Sequence, residues 1–421
     1  MTAAPTLAPR VGLWNWSLFA ALIAAAGLPI YIHAPKFYVD DYGLSLAALG
    51  GVLALLRLID VVQDPVLGWL SERYRAWRGL MVTVAGGVMA AAMVGLFAVT
   101  PPVAPLLWFA VTLACLFTGF SFLTIVFYAQ GVAKAAQLGA GGHLRLAGWR
   151  ETGSLIGVSV AAVAPVALVT VTGKPFAAFA AGFVALVVVA LFAMRTEWVA
   201  SPRSEDATPQ LLAAFRPALG DPLARRLLLI ALLNAAPVAV TSTLFLFFVE
   251  SRLNAPGMEG PLLLLFFLAA AASAPFWARV AAEKGEKRSL MAAMILAIVA
   301  FLWAVTLREG DVWAFAVICA ASGAAMGADL TLLPAIFARR LSALDAGGEG
   351  AAFGLWSFVS KLSLALAAAI LLPALQAAGF EPGGANAAAP LMTLSLLYAA
   401  LPCALKLLAI ALLAATKVPE V

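Results

Sequence analysis

Long apolar stretches, separated by short clusters of charged residues, proline and glycine, make up most of this 421-residue chain. Several of them reach or exceed the roughly 20 residues with which an α-helix crosses about 30 Å of hydrocarbon. Reading each stretch between its polar boundaries predicts an all-α fold with twelve membrane-spanning helices. The predicted spans are 12–34, 46–71, 79–99, 104–130, 152–172, 175–194, 227–249, 260–281, 289–306, 312–338, 351–376 and 390–415.

A polar segment interrupts this pattern near the middle of the chain. Residues 195–226 carry both acids and bases, among them Glu197 and Arg203. Six predicted spans precede the segment and six follow it. The sequence therefore predicts an N-terminal six-helix half over 1–194, a cytoplasmic middle loop over 195–226 and a C-terminal six-helix half over 227–421.

Composition agrees with a membrane protein, because 64% of the residues are hydrophobic and only 11% are charged. A soluble domain has about 25% charged residues. The formal net charge of +5 would suggest nucleic-acid binding in a soluble protein. Here basic loops on one membrane face account for the charge, so nucleic acid is not an expected partner.

Lysine and arginine concentrate on one side of the predicted membrane. That side carries Arg10, Arg73, Arg75, Arg78, Lys134, Arg145, the arginines of 195–226, Arg279, Lys284, Lys287, Arg288, Arg339, Arg340 and Lys417. The other side carries Lys36, Lys174, Arg252 and Arg308. The positive-inside rule then predicts that both termini and the middle loop are cytoplasmic, in a bacterial-type inner (plasma) membrane.

The two predicted halves share a weak internal repeat. A shift of 211 residues places Gly68-x-x-x-Glu72-Arg73 over Arg279-x-x-x-Glu283-Lys284. Each motif lies at the predicted cytoplasmic end of the second span of its half. Transporters built from parallel repeats bind substrate between the halves near the membrane midplane, so a central substrate site is expected here.

Asp60 and Asp64 lie in an otherwise apolar predicted span. Their i,i+4 spacing puts them on one helical face, with Arg57 one turn earlier. A carboxylate inside a membrane costs about 2.5–3.5 kcal/mol on insertion scales, so this face must line a polar cavity or a protein interface. Two such carboxylates are suited to bind Na⁺ or to share a proton. The alternative is a structural ion pair with Arg57, and both roles can coexist.

The residues around these aspartates resemble those of a known family. The chain reads Tyr38-x-Asp40-x-x-Gly43-Leu44-Ser45, then Arg57-x-x-Asp60-x-x-x-Asp64-Pro65-x-x-Gly68-Trp69, and later Glu349-x(11)-Lys361. This pattern is similar to that of major facilitator superfamily transporters, and among them to the glycoside-pentoside-hexuronide:cation symporters, the melibiose-permease-like group. The resemblance implies the twelve-helix major facilitator fold. It also implies a coupling-cation site for Na⁺, Li⁺ or H⁺ at Asp60 and Asp64, with Lys361 of the eleventh span as a nearby intramembrane lysine. A structural ion pair of the aspartates with Lys361 is the alternative to a cation site, and both roles can coexist.

The chain departs from that family where galactosides are bound. Galactoside symporters of the family use an aspartate in the first span to hold sugar hydroxyls, and Ala24 stands there in this chain. Where they carry an aspartate and a tryptophan in the fourth span, this chain has Thr124 and Tyr128. These departures argue against a galactoside substrate. Thr124, Tyr128, Asp329 and Trp356 are the residues expected to line the substrate cavity.

Charged pairs near the predicted cytoplasmic ends of two spans are candidates for a gate. Glu72-Arg73 resembles a degenerate form of the superfamily's cytoplasmic loop motif, which implies a charge relay that latches the two halves. Ordinary positive-inside residues are the alternative. Arg150-Glu151, at the start of the fifth span, is the second candidate pair. Lys406, in the last span, is expected to reach the membrane interface with its long side chain.

Together these features predict a secondary active transporter that works by alternating access. A cation, Na⁺ or H⁺, would bind at Asp60 and Asp64 and be symported with a small polar solute such as a sugar or glycoside. A proton-driven exporter, or a transporter of lysolipids or other amphiphiles on the same fold, is the alternative.

The sequence gives no indication of an enzyme, because it has no P-loop, His-Glu-x-x-His or Gly-x-Ser-x-Gly motif. No cofactor is expected apart from the coupling ion. The expected partners are the solute, a monovalent cation and the lipid bilayer. A monomer is expected, since one chain already contains both halves.

Overall fold

The computed structural model describes residues 13–139, 141–198, 211–344, 348–381 and 386–418. These residues are helical almost throughout, and no strand occurs among them. Arg10 and Arg203, which entered the prediction of orientation, lie outside the described residues.

Sixteen α-helices are numbered here in chain order. They are α1 (Trp14–Ala25), α2 (Leu28–Tyr42), α3 (Leu46–Arg73), α4 (Arg78–Phe97), α5 (Pro105–Gln137), α6 (Gly142–Leu168), α7 (Pro175–Met194), α8 (Leu211–Ala214), α9 (Arg216–Gly220), α10 (Pro222–Phe247), α11 (Glu259–Lys284), α12 (Glu286–Ala304), α13 (Val312–Leu344), α14 (Glu349–Ala377), α15 (Ala388–Ser395) and α16 (Leu401–Ala414). Single π-helical segments continue α10 over Phe248–Arg252 and join α15 to α16 over Leu396–Ala400.

Helix boundaries follow local capping chemistry. Ser45 begins α3 by accepting a hydrogen bond from the backbone N–H of Ala48, and Asp221 begins α10 by accepting one from Ala224. Gly43 ends α2 with a φ of 64°, a left-handed conformation that favours glycine.

Two predicted spans have different boundaries in the structure. The prediction of one helix over 12–34 was wrong, because α1 ends at Ala25 and α2 begins at Leu28 with a proline in its first turn. Proline lacks an N–H and is favoured where a helix starts. The fifth predicted span, 152–172, starts too late, because α6 begins at Gly142. The charged residues that suggested a loop lie inside this helix and have protein partners, as described below.

Within the described residues, nine helices are long and apolar enough to cross a membrane. They are Arg75–Phe97, Pro105–Gln137, Pro175–Met194, Pro222–Arg252, Glu259–Lys284, Glu286–Ala304, Val312–Leu344, Glu349–Ala377 and Ala388–Ala414. The remaining predicted spans correspond to the divided α1 and α2 and to the charged helices α3 and α6. The count of twelve therefore stays a prediction.

Helix ends define two faces of the molecule. We call the face formed by the ends of α3 at Arg73, α5 at Gln137 and α11 at Lys284, and by the start of α14 at Glu349, the basic face. The other end of the bundle is the opposite face. The helices α3 and α11 end 211 residues apart, at the positions that the internal repeat aligns.

Among the described residues, the three largest clusters of the hydrophobic core comprise one in each predicted half and one that joins them. The first cluster, with Trp16 and Phe19, contains only residues before 195. The second, with Phe248 and Tyr398, contains only residues after 238. The third packs Leu144 of α6 and residues of α5 against α10 to α14. The division at 195–226 stays a prediction, because 199–210 lie outside the described residues.

Candidate functional site

The antiparallel helices α3 and α14 touch along a seam of glycines. A Cβ atom at Gly68 would lie 2.6 Å from the carbonyl oxygen of Gly350, and one at Gly354 would lie 2.7 Å from that of Asp64. Real Cβ atoms do not approach backbone atoms so closely, so glycine is required at both positions. This contact brings the side chains before Gly68 on α3 next to those after Gly354 on α14.

Lys361 of α14 reaches both predicted cation ligands. Its Nζ lies 2.9 Å from Asp64 Oδ2 and 3.8 Å from Asp60 Oδ2, and it donates a 2.6 Å hydrogen bond to Ser121 Oγ of α5. Asp64 is fully buried and Asp60 is 4% exposed. Asp64 lies nine residues before Arg73, about 14 Å from the end of α3 at 1.5 Å per residue. The two carboxylates and the ammonium form a buried ionic cluster in the interior of the bundle.

Neutral polar side chains complete this cluster. Ser357 Oγ donates to Asp64 Oδ2 over 2.5 Å, and Gln63 Nε2 donates to Asp60 Oδ1 over 2.7 Å. Thr118 Oγ1 donates to Gln63 Oε1 over 3.0 Å. Sequence reasoning missed these residues. Gln63 and Ser357 could have been found from their helical spacing to Asp60 and Lys361, whereas Thr118 had no such signal.

The cluster suits a monovalent cation. It offers two carboxylates with hydroxyl and amide oxygens, the hard ligands that Na⁺ prefers, and an ammonium already bears one positive charge among them. Arg57, the other predicted pairing residue, is half-buried one turn before Asp60 on α3. Across the described residues no three or more His, Cys, Asp or Glu side chains are grouped as a metal site would require. The arrangement is therefore unlike a transition-metal centre.

Tyr128, a predicted cavity residue, forms a second cluster with the predicted gate pair. Its hydroxyl donates to Glu151 Oε1 over 2.9 Å, and the Arg150 guanidinium lies 3.6 Å from the centre of its ring. Arg150 and Glu151 also pair with each other at 2.9 Å, and both are buried. The two charged residues therefore interact with a candidate substrate residue inside the bundle.

Trp356 is connected to Tyr128 through two phenylalanines. The ring of Phe353 lies 5.3 Å from that of Tyr128 and 5.5 Å from that of Phe337, and Phe337 packs against Trp356 at 4.9 Å. Thr124 has a local role in the structure, because its hydroxyl donates to the Phe120 carbonyl of its own helix. Tyr128 and Trp356 thus belong to one run of packed aromatic side chains, and Thr124 lies one helical turn before Tyr128 on α5.

Asp329 belongs to a separate ion pair in the second half. Lys406 of α16 contacts Asp329 Oδ2 and donates to Asn234 Oδ1 of α10 over 2.6 Å. The expectation that Lys406 reaches the membrane interface was wrong, because it is 4% exposed and held by these partners. Asp329 and Lys406 line a small cavity of about 50 Å³.

The two residues of the first predicted gate pair, Glu72 and Arg73, have different partners in the structure. Glu72 Oε1 accepts a 2.7 Å hydrogen bond from the backbone N–H of Gly350, in the first turn of α14. Its cationic neighbour is Arg78, at 3.8 Å, and Arg78 in turn donates to Gln130. Arg73 is exposed and lies beside the Tyr74 ring instead. A carboxylate at a helix N-terminus is stabilised by the helix dipole. Glu72 therefore links α3 to α14 at the basic face, and we call this contact the Glu72 latch.

A known protein family matches nearly the whole chain. The family described as MFS/sugar transport protein matches residues 16–420. A curated relative, "Probable nitrate/nitrite antiporter NarK1" of Thermus thermophilus, is 31% identical over 84 residues. That match covers 19% of this chain and 19% of the relative, so it spans about a fifth of the relative's length.

The fold resembles that of a solved transporter. A bacterial homologue of the iron transporter ferroportin, in an outward-facing state, superposes with a TM-score of 0.66. The superposition covers 96% of this chain and 99% of that one at 14% sequence identity. At this identity the likeness concerns the fold alone.

Proposed function

The chain belongs to the MFS/sugar transport protein family, as its resemblance to the melibiose-permease-like group predicted, and we propose that it couples solute transport to a cation gradient. The family match indicates a membrane transport protein of the major facilitator type, and the fold resembles that of a solved transporter. In the proposal, Na⁺ or H⁺ binds at Asp60 and Asp64 and moves together with a small polar solute, such as a sugar or glycoside.

The position of Lys361 carries this proposal. Its ammonium has the same single positive charge as the proposed coupling ion. It lies between the two buried carboxylates that would bind that ion. An incoming cation would take over Asp64 and displace the ammonium toward Ser121, its other partner. Because Asp64 and Lys361 belong to different predicted halves, the exchange changes the contact between those halves.

Coupling follows from this shared contact. When the ammonium holds Asp64, the α3–α14 seam is linked by an ion pair, by Ser357 and by the Glu72 latch. Replacing the ammonium with a mobile cation removes one of these links. A cation and a solute that both favour the same rearranged state then promote each other's binding, typically by about 1–3 kcal/mol.

Tyr128 and Trp356 are the proposed solute contacts. Aromatic faces stack on sugar rings, and the buried Arg150 and Glu151 beside Tyr128 offer both donors and acceptors for hydroxyl groups. The basic face is proposed to be cytoplasmic, in the plasma membrane of a bacterial cell, with the protein acting as a monomer.

The amphiphile alternative would require a cavity that opens sideways between the halves. Within the bundle α6 and α11 are in contact, because a Cβ at Gly148 would lie 3.3 Å from that of Ala278 and Leu155 packs on Ala270 and Ala271. These contacts favour a polar solute that enters along the membrane normal.

Thermal stability in detergent, titrated with Na⁺, Li⁺ and K⁺ at two pH values, tests the proposal. A ligand that binds only the folded protein stabilises it by about 2.7 kcal/mol at a hundredfold excess over its dissociation constant. If the coupling ion is Na⁺ or Li⁺, that cation should raise the thermal stability of the wild type more than K⁺ does. If the coupling ion is H⁺, the thermal stability should change with pH instead. Asp60→Asn and Asp64→Asn should abolish the response. A wild type that responds to neither cations nor pH would make the aspartates structural and refute the symporter.

A further inference from the structure

A large cleft opens on the basic face where α6 meets α11. Its volume is about 1110 Å³, and its walls include Arg145 and Trp149 of α6, Arg279 of α11 and Arg339 of α13. Ligand pockets usually measure about 300–1,000 Å³, so the cleft can hold a ligand of many atoms. It shares no residue with the cation cluster and lies between the predicted halves.

The cleft is strongly cationic. Its basic side chains are Arg145, Arg279, Lys284, Arg288 and Arg339, against the carboxylates Glu283 and Glu286. Glu286 is already paired with Arg339 at 2.8 Å. His143 also lines the cleft. The complementary ligand is therefore an anion.

Basic residues are expected on a cytoplasmic face whatever it binds, so by themselves they do not identify the ligand. The exposed side chains next to them do. On α6, Trp149, Ile156, Val160 and Val163 are exposed. Their spacing of three, four or seven residues puts them on one face of the helix, and Arg145 is four residues before Trp149 on that face. An exposed apolar stripe of α6 thus leads into the cleft.

The second wall repeats this arrangement. On α11, Leu265, Leu268 and Phe276 are exposed at helical spacing, and Arg279 follows three residues after Phe276. Trp149 and Arg279 line the same cleft, so the two stripes reach it from the same side of the α6–α11 seam. Acyl chains along the stripes and a phosphate among the cations match the chemistry of one class of molecule.

We propose that this cleft and the exposed apolar stripes of α6 and α11 bind an anionic phospholipid, with the headgroup phosphate between Arg145 and Arg279. Since these arginines lie on α6 and α11, the lipid bridges the two predicted halves where Gly148 meets Ala278. It therefore stabilises the contact between α6 and α11 that the structure shows. This inference does not depend on which ion or solute is transported.

Native mass spectrometry of the full-length protein tests the site without added solute or sodium. The probes are phosphatidylglycerol and phosphatidylcholine with the same acyl chains, and inorganic phosphate alone. The test variant is Arg145→Gln/Arg279→Gln. The control is Arg225→Gln/Arg226→Gln, two exposed arginines at the start of α10, outside the cleft lining described above. Arg145→Lys/Arg279→Lys keeps both charges and controls for folding.

The wild type, the control and the lysine variant should retain phosphatidylglycerol in preference to phosphatidylcholine and gain thermal stability from it. In the glutamine variant the affinity for phosphatidylglycerol should fall about fivefold for each charge removed. The reason is that an interfacial Lys or Arg contributes about 1 kcal/mol to anionic lipid binding. Equal retention of both lipids, or undiminished phosphatidylglycerol binding by the glutamine variant, would overturn the proposal. The same stabilisation by inorganic phosphate alone would assign the cleft to a soluble anion instead.

Discussion

Lys361 and Asp64 form a 2.9 Å ion pair between helices of different predicted halves. The Asp64 carboxylate is fully buried. Asp60 lies farther from the same ammonium, at 3.8 Å, and its closer partner is the neutral Gln63. The two aspartates are therefore unequal. Asp64 supports the structure of the seam as well as the proposed ion site, while Asp60 serves chiefly the ion site.

This inequality predicts different costs for two similar variants. Asp64→Asn leaves a buried ammonium without its main counter-charge, which costs about 3 kcal/mol when one partner of a buried pair is removed. Asp60→Asn should cost about 1 kcal/mol or less, because the Gln63 hydrogen bond can be kept. Thermal unfolding in detergent without added sodium measures both. Equal destabilisation would contradict the inequality.

The glycine seam predicts a shift between conformations. Gly68→Ala places a Cβ 2.6 Å from a backbone carbonyl oxygen, so α3 and α14 must separate, at a cost of about 1–3 kcal/mol to the closed basic face. Gly51→Ala, on the same helix with open space around it, is the matched control.

Spin labels at Arg73→Cys and Arg216→Cys, both exposed on the basic face, report this shift in a background that carries Cys115→Ser to remove the exposed native cysteine. Gly68→Ala should move the distance distribution toward longer values, and Gly51→Ala should leave it unchanged. An unchanged distribution for Gly68→Ala would show that the seam does not hold the closed state.

The Asp329–Lys406 pair predicts a non-additive mutant cycle. Either Asp329→Asn or Lys406→Gln leaves a buried charge without its partner and should destabilise the protein by about 3 kcal/mol. The double variant removes both charges and should recover most of that loss. Thermal stability of the three variants gives the coupling energy, and simple additivity would show that the two side chains do not stabilise each other.

Asp221 predicts a pH dependence at the basic face. Arg340 donates to both carboxylate oxygens of Asp221, at 2.9 and 2.5 Å, and these hydrogen bonds lower the pKa of that carboxyl. The pair therefore stabilises the fold at every pH above the ordinary aspartate pKa of about 3.9 and loses this contribution as pH falls through the lowered value.

Asp221→Asn keeps a helix-capping side chain but removes the ion pair, so at pH 7 it should cost about 1 kcal/mol. The difference in thermal stability from the wild type should persist down to about pH 4 and shrink only below it. A difference that disappears between pH 7 and pH 5 would mean that another titrating group controls this contact.

The sequence predicted the fold class and the two aspartates because apolar length and i,i+4 spacing are local properties. Lys361 was expected near them only through the family resemblance, and the structure brings it into contact. Nothing local could pair Ser121 with Lys361, since they lie 240 residues apart and meet only through helix packing.

The incorrect expectations have a common cause. Lys406 was assigned to the membrane interface because no acidic partner lies near it in the sequence of its apolar helix. Its partners Asp329 and Asn234 lie on other helices. The fifth span was begun too late for the same reason. Its charges are typical of a loop, yet Arg150 and Glu151 pair with each other inside the helix and both contact Tyr128.

The most direct test of the account is cation binding by Lys361→Gln. In the proposal the ammonium competes with the coupling ion for Asp64, so removing it should raise the affinity for that ion by about tenfold or more. A tenfold change corresponds to about 1.4 kcal/mol, which is modest for a buried charge interaction. Calorimetric titration with Na⁺ and Li⁺, and proton uptake at fixed pH, would measure it against the wild type. Tighter binding of either ion supports the exchange at Asp64, and weaker or absent binding of both would show that Lys361 builds the site instead of competing for it.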